Sequence, residues 1–234
     1  GKTNDNLRTY ASQLQFNWGS NLSKQRLIEP EEYAEVTRVA MAEGYDSIKV
    51  DPLIFSNQPD GKGPWKITGP LEHKVIKTVY DRIAAMRKAG GDDLDIIIEN
   101  HSNTDTISAI QIGRALEDLR IFYYEEPCHP LNVESMVEIK NKVNIPIASG
   151  ERIYTRYGYR PFLEKRALHV IQPDICLFSN FGMFDLFIDH GKYFVLETFW
   201  CHKKMVHIFN RFSHCQCLKY SCCFCSDLRI SSHQ

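Results

Sequence analysis

Short apolar runs alternate along the chain with longer segments whose apolar residues recur every three or four positions. Thr9 to Phe16 alternates crudely and predicts a first strand, and Ser47-Ile48-Lys49-Val50-Asp51 predicts a second. Between them Pro30 opens a run with Tyr33, Val36 and Ala40 on one side, and Gly44 follows it. Proline first and glycine last is the signature of a helix. Val75, Ile76, Val79, Ile83 and Met86 repeat at helical spacing until Gly90-Gly91 stops them. Leu94 to Glu99 predicts a third strand. Thr104 or Asp105 can cap the next helix, with Ile107, Ile110, Ala115 and Leu119 on its apolar side. Arg120 to Glu125 is a fourth strand, and Asn132 caps a helix carrying Val133, Met136 and Val143. Ile145 to Glu151 is a fifth strand, followed by a helix over roughly Tyr159 to Arg166. Leu168 to Asp174 is the sixth.

Six consecutive strand-helix units give an α/β fold, either a (β/α)8-type (TIM-like) barrel or an open doubly wound sheet. No glycine-rich phosphate turn follows the first strand, which disfavours the dinucleotide-binding sheet and leaves the barrel. The stretch from Pro52 to Pro70 carries four prolines and three glycines and reads as a long loop on the face where barrel strands end. Beyond about residue 178 the periodicity fades. The expected organisation is a partial barrel over 1–177 and an atypical Cys- and Phe-rich tail over 178–234.

Composition narrows the function classes. A 234-residue chain that is 43% hydrophobic can bury one full core, and a net charge of −1 offers no footprint for nucleic acid. No apolar stretch approaches the length needed to span a bilayer, and Gly1 to Asn6 holds no apolar signal region. The absence of an initiator Met reads as a start inside a longer chain. Of the eight cysteines only Cys128 and Cys176 precede residue 200, so the first two hundred residues fit a reducing, cytoplasmic setting.

Glu99, Glu125 and Glu151 close three of the strands in equal steps of 26 residues (99 to 125, 125 to 151). One strand-helix unit of a barrel takes roughly 25–30 residues, so the three positions are equivalent in successive units. Carboxylates gathered at one rim repel one another unless a cation lies between them. Oxygen ligands without Cys or His favour Mg²⁺, with Mn²⁺ as the alternative. The same spacing also admits three unrelated strand-end acids, solvated or paired with lysine.

Lys49-Val50-Asp51, Glu99-Asn100-His101, Glu125-Glu126-Pro127, Gly150-Glu151-Arg152 and Gln172-Pro173-Asp174 occur in the order found in the enolase superfamily, mandelate racemase branch. From about residue 8 to 176 the chain resembles sugar-acid dehydratases of the galactonate dehydratase type. That resemblance implies Mg²⁺-dependent removal of the proton α to a carboxylate and loss of water from an aldonate. It implies Glu99, Glu125 and Glu151 as metal ligands, with Glu126 as a supporting neighbour. Lys49 would face the substrate carboxylate, unless it is simply paired with Asp51 or Glu99. Asp51 stands where racemases of the branch carry a second lysine, which argues against a two-base racemase. His101 is implied as the acid that protonates the departing hydroxide, a surface histidine being the alternative. Asp174 is implied as the acid that orients a base histidine. Arg152 and Tyr154 are candidates for binding substrate oxygens, with Arg156 and His129 behind them. Trp18 reads as packing. A cycloisomerase or racemase of the same superfamily and a non-catalytic barrel remnant are the competing readings. The full-length family form is expected to be a homo-oligomer.

The pattern breaks after Asp174. The base histidine is expected roughly one barrel unit on, near 201; Cys201 stands there with His202 beside it. The Cys215, Cys217, Cys222, Cys223 and Cys225 cluster misses the usual zinc spacing. The tail therefore reads as a foreign ending in place of the last two barrel units, and the N-terminal capping domain of the family is expected to be absent. Six strands alone would leave two sheet edges open to water.

Overall fold

The computed structural model describes residues 8–16, 18, 26–54 and 67–174, together with the backbone of the strands at 193–201 and 204–210. The middle of the Pro52–Pro70 loop, Cys176, His202 and the cysteine cluster lie outside the described residues.

Eight strands and five α-helices follow one another: β1 (Thr9–Tyr10), α1 (Pro30–Ala42), β2 (Ser47–Val50), α2 (His73–Gly90), β3 (Asp95–Glu99), α3 (Thr106–Leu116), β4 (Ile121–Glu125), α4 (Val133–Lys142), β5 (Ile147–Ser149), α5 (Thr155–Glu164), β6 (Val170–Ile171), β7 (Tyr193–Cys201) and β8 (Lys204–Asn210). Pro30 opens α1, and the Glu32 carboxylate reaches back to the amides of Ile28 and Glu29, both at 2.8 Å. Asp105 and Asn132 accept from the amides of Ser108 and Ser135, so each satisfies a donor that the first helical turn leaves over. Arg87 in α2 is buried and donates to the carbonyls of Leu94, Gly91, Leu119 and Arg120, which ties that helix to the chain on both sides of β3 and to the start of β4.

β2 to β7 run parallel in sequence order, whereas β7 and β8 form an antiparallel pair and β8 pairs antiparallel with β1. An Ala11–Ile48 bridge joins β1 back to β2, so the sheet returns on itself. The tail therefore departs from the open-edged expectation. Residues 193–210, rich in aromatic and β-branched types that suit a pleated surface, run along the free sides of β6 and β1.

Strand alternation sorts the buried residues into two sets. Ile48, Val50, Ile96, Ile98, Tyr124 and Ile147 join the helix residues Val36, Val79, Ile83, Ile112 and Met136 in the main core. Tyr10, Ile97, Tyr123 and Ala148 form a smaller cluster on the opposite, inner face. Lys49 pairs in register with Ile97, Ile97 with Tyr123, and Glu99 with Glu125. Period two thus puts Lys49, Glu99 and Glu125 on that inner face, at the end where the strands finish.

Two helix expectations need correction. In α3 the buried side is Ala109, Ile112 and Leu116, with Leu119 beyond its end, whereas Ile107 is 54% exposed and Ile110 and Ala115 only partly buried. The stripe is rotated because Gly113 packs against Val143 of the α4 end, where even a methyl group would come within 2.6 Å. α5 runs from Thr155 to Glu164 rather than from near Tyr159 to Arg166, with Pro161 inside it.

Candidate active site

The inner face at the strand ends opens into a small cleft lined by Ser12, Gln13, Gln15, Lys49, Val50, Asp51, Glu99, His101 and Glu151. β2 delivers Lys49 and, one step past its end, Asp51. β3 delivers Glu99 and, just beyond, His101. β4 ends on Glu125, and the turn after β5 delivers Glu151.

The Lys49 ammonium lies 2.9 Å from Glu99 Oε2 and 3.1 and 3.0 Å from the two oxygens of Glu125, above the ring of Tyr10 at 5.5 Å. All three charged groups are buried. Two carboxylates so close together and out of water require a cation, and Nζ supplies it. The paired-lysine alternative thus holds for Glu99 and Glu125 rather than for Asp51.

Asp51 is occupied otherwise. Its Oδ2 lies 2.7 Å from His101 Nδ1, and its Oδ1 accepts from the amides of Leu53 and Ile54 at 2.9 and 3.0 Å. Burial pushes the Asp51 carboxyl up, against the pull of His101 and the Leu53 amide. For His101 burial acts downward, yet its bond to Asp51 and the charges of Glu99 and Asp51 outweigh it and carry the imidazole up to about 9. The amides and the imidazole all favour a carboxylate at Asp51, and we take the pair as ionised.

Arg152 bridges the next layer. Its guanidinium reaches Glu126 Oε2 at 3.2 Å, Glu151 Oε1 at 3.3 Å and the His101 carbonyl at 3.1 Å. Glu126 also accepts from Ser102 Oγ, while its Oε1 is buried with no hydrogen-bond partner. Burial first, and then the charge of Glu99, pushes its carboxyl up to about 7. Gln13, His101, Ser102 and Glu126 all hold positive φ angles (61°, 48°, 59° and 43°) that side chains avoid. Such strain, roughly 1–3 kcal/mol per residue, collects where function dictates the backbone.

The structure brings Lys49, Glu99, Glu151 and His101 to one cleft, with Glu125 against Lys49. It does not bring Tyr154 or Asp174 there. Tyr154 precedes α5 and is half exposed, and Asp174, three residues past the end of β6, is not among the residues that line the cleft. Arg156 stacks on Tyr157 at the surface, His129 accepts from the Leu131 amide in the loop after β4, and Trp18 packs edge-on against Tyr45. Among the described residues no three acidic, His or Cys side chains stand close enough to form a ready-made metal site. The donor chemistry nevertheless fits a hard divalent cation: Glu99 and Glu125 already close on one positive charge, and the orphaned Glu126 oxygen lies in the next layer.

Sequence reasoning missed Ser12, Gln13 and Gln15. It read Thr9–Phe16 as one strand, whereas β1 ends at Tyr10, so these residues form the rim. It also took Asp51 as a missing lysine or a partner of Lys49, and not as a partner of His101; its place at a strand end, two residues after Lys49, was the available signal.

The profile of the family described as enolase C-terminal domain-like matches residues 32–179. The D-gluconate/D-galactonate dehydratase of Picrophilus torridus is 29% identical over 175 residues, which are 75% of this chain and 40% of that protein. The D-galactarolactone cycloisomerase of Agrobacterium fabrum is 36% identical over 101 residues, 43% of this chain and 26% of that one. A crystal structure of a member of the enolase superfamily from Salmonella Typhimurium superposes with a TM-score of 0.81 at 48% identity, covering 85% of this chain and 52% of the other. The chain thus spans about half, or less, of the length of the proteins it matches. With this cleft at the strand ends and that match over most of the barrel, the chain belongs to the enolase C-terminal domain-like family.

Proposed function

We propose that this chain is the barrel part of a Mg²⁺-dependent sugar-acid dehydratase. The observation that carries this reading is one cleft in which Glu99, with Glu125 behind it, holds the Lys49 ammonium beside an Asp51-bound His101. Dehydration breaks the C–H bond next to the carboxylate and the C–O bond one carbon further on. The enol product then becomes a 2-oxo-3-deoxy acid. The C–H proton is weakly acidic, so charge must be stabilised where the anion forms. Mg²⁺, when bound, supplies that stabilisation, and Glu99, Glu125 and Glu151 would hold it.

The remaining roles belong to side chains of the cleft. Lys49 offsets the substrate carboxylate once it is released from the two glutamates. His101 donates a proton to the leaving hydroxide through Nε2, since Nδ1 is held by Asp51. Asp174 would orient a base histidine, for which the position expected near 201 offers Cys201 with His202 beside it, in a segment whose side chains lie outside the described residues. Arg152 orients Glu151 and Glu126 from the side.

The test is turnover of a panel of aldonates with Mg²⁺ by the wild type and by His101→Asn. Loss of about 10²–10⁴-fold in kcat is the size expected for a general acid. The likeness to a cycloisomerase supports a second reading, in which the lactone reaction needs no leaving-group acid of this kind. Unchanged dehydration by His101→Asn would remove the acid role, and lactone isomerisation without dehydration would favour the second reading.

A further inference from the structure

We infer that Asp51 is a positioning residue for His101: it fixes the imidazole in one rotamer with Nδ1 as the donor, so that Nε2 is the nitrogen offered to the substrate. This rests on the dehydratase reading for its consequence, but its geometry stands apart from that reading.

The two oxygens of Asp51 have separate partners. Oδ1 is saturated by the amides of Leu53 and Ile54, which turn the chain immediately after β2. Oδ2 is left for His101 Nδ1 at 2.7 Å. The carboxylate is therefore clamped by backbone and cannot follow a moving ring. The Asp51 amide in turn donates to Gln15 Oε1 at 3.2 Å, so the segments that follow β1, β2 and β3 each place one link of the chain Gln15–Asp51–His101. The histidine backbone is held as firmly: its amide donates to Glu99 Oε1 at 3.1 Å, and its carbonyl accepts from Arg152. A ring with this much support around it, at a backbone angle of φ 48°, is oriented by design of the fold rather than by solvent. Two amide donors on Oδ1 favour the ionised carboxylate, which can only accept, so the proton of the Asp51–His101 bond belongs on Nδ1. A histidine's second nitrogen sets which nitrogen does the chemistry.

Asp51→Asn tests this with little disturbance, because the remaining amide oxygen can still accept from Leu53 and Ile54. The Nδ2 group then faces His101 and can only donate, which turns Nδ1 into an acceptor. In ¹⁵N-labelled protein the His101 ring signals, assigned by their disappearance in His101→Asn, should show a slowly exchanging Nδ1–H in the wild type. That signal should be lost in Asp51→Asn, leaving the ring protonated on Nε2 alone. Persistence of Nδ1–H in the variant, or an unprotonated Nδ1 in the wild type, would overturn the inference. Should the variant not fold, the wild-type spectrum alone decides. If wild-type turnover is found, Asp51→Asn should lower kcat about 10–100-fold, the usual worth of a partner that orients a functional histidine, with KM little changed. A protected Nδ1–H without turnover of any aldonate would sink the dehydratase reading and leave the positioning intact.

Discussion

Gly150 and Lys49 show how single residues set the site. A methyl group at Gly150 would lie 2.4 Å from the Tyr159 hydroxyl and 2.6 Å from the Gln172 backbone, and that hydroxyl donates to the Gly150 carbonyl at 2.8 Å. The glycine before Glu151 is therefore a contact between β5, β6 and α5, and no side chain fits. Gly150→Ala should lower stability by about 1–3 kcal/mol in denaturant unfolding, the range for overpacking, and should disturb Glu151 next to it. Lys49→Met should cost more, on the order of 3–5 kcal/mol, because Glu99 and Glu125 lose the charge between them while still buried. Mg²⁺ should restore part of that loss, and an equal loss with and without Mg²⁺ would argue that the two carboxylates cannot hold the ion. The glutamates were legible in the sequence because their spacing follows the barrel pitch, and Lys49 because Lys49-Val50-Asp51 takes its place in the motif order of the resemblance. The ammonium's choice of Glu99 and Glu125 over Asp51 was not, since it depends on which face of each strand looks inward.

The starts of α1, α3 and α4 and the end of α1 were legible for the same local reasons that make them form. Pro30, Asp105, Asn132 and Gly44 mark chain positions whose chemistry is complete within four residues. The rotated face of α3 and the early start of α5 escaped because they depend on Val143 meeting Gly113 and on where Pro161 falls within its helix. Asp105 also carries a pH prediction. Burial acts upward on its carboxyl, but the amide and hydroxyl of Ser108 and the amide of Gly69 outweigh it and hold it below its ordinary 3.8. A lowered folded value means that the stabilisation is complete above the ordinary carboxylate range and is lost as pH falls through that lower value. The stability gap between wild type and Asp105→Ala should thus be about 1 kcal/mol near neutrality, as for other N-caps, and should shrink on acidification below pH 3.8. A gap independent of pH in parallel urea titrations would contradict the cap.

At the scale of the molecule, the parallel strands β2 to β6 carry the inner-face lysine and glutamates, and the helices α1 to α5 seal the other face. The first six strands were legible because apolar runs and helical periods alternate without interruption as far as Asp174. The closure through β7 and β8 was not, because pairing between the tail and β1 is a long-range contact with no local pattern in Phe- and Cys-rich sequence. No helix among the described residues is long and apolar enough to cross a membrane. The proposal of a divalent-ion site gathers these scales, since strand register sets Glu99 beside Glu125 and the β5 turn sets Glu151 on the same cleft.

The most direct test is thermal unfolding of the wild type and of Glu125→Gln over a range of Mg²⁺ concentrations. Binding to the folded state alone stabilises by about 2.7 kcal/mol at a hundredfold excess over Kd. The wild-type Tm should therefore climb with the logarithm of Mg²⁺ while that of Glu125→Gln stays level. A wild-type Tm indifferent to Mg²⁺, or the same climb in both proteins, would contradict a metal held by these glutamates.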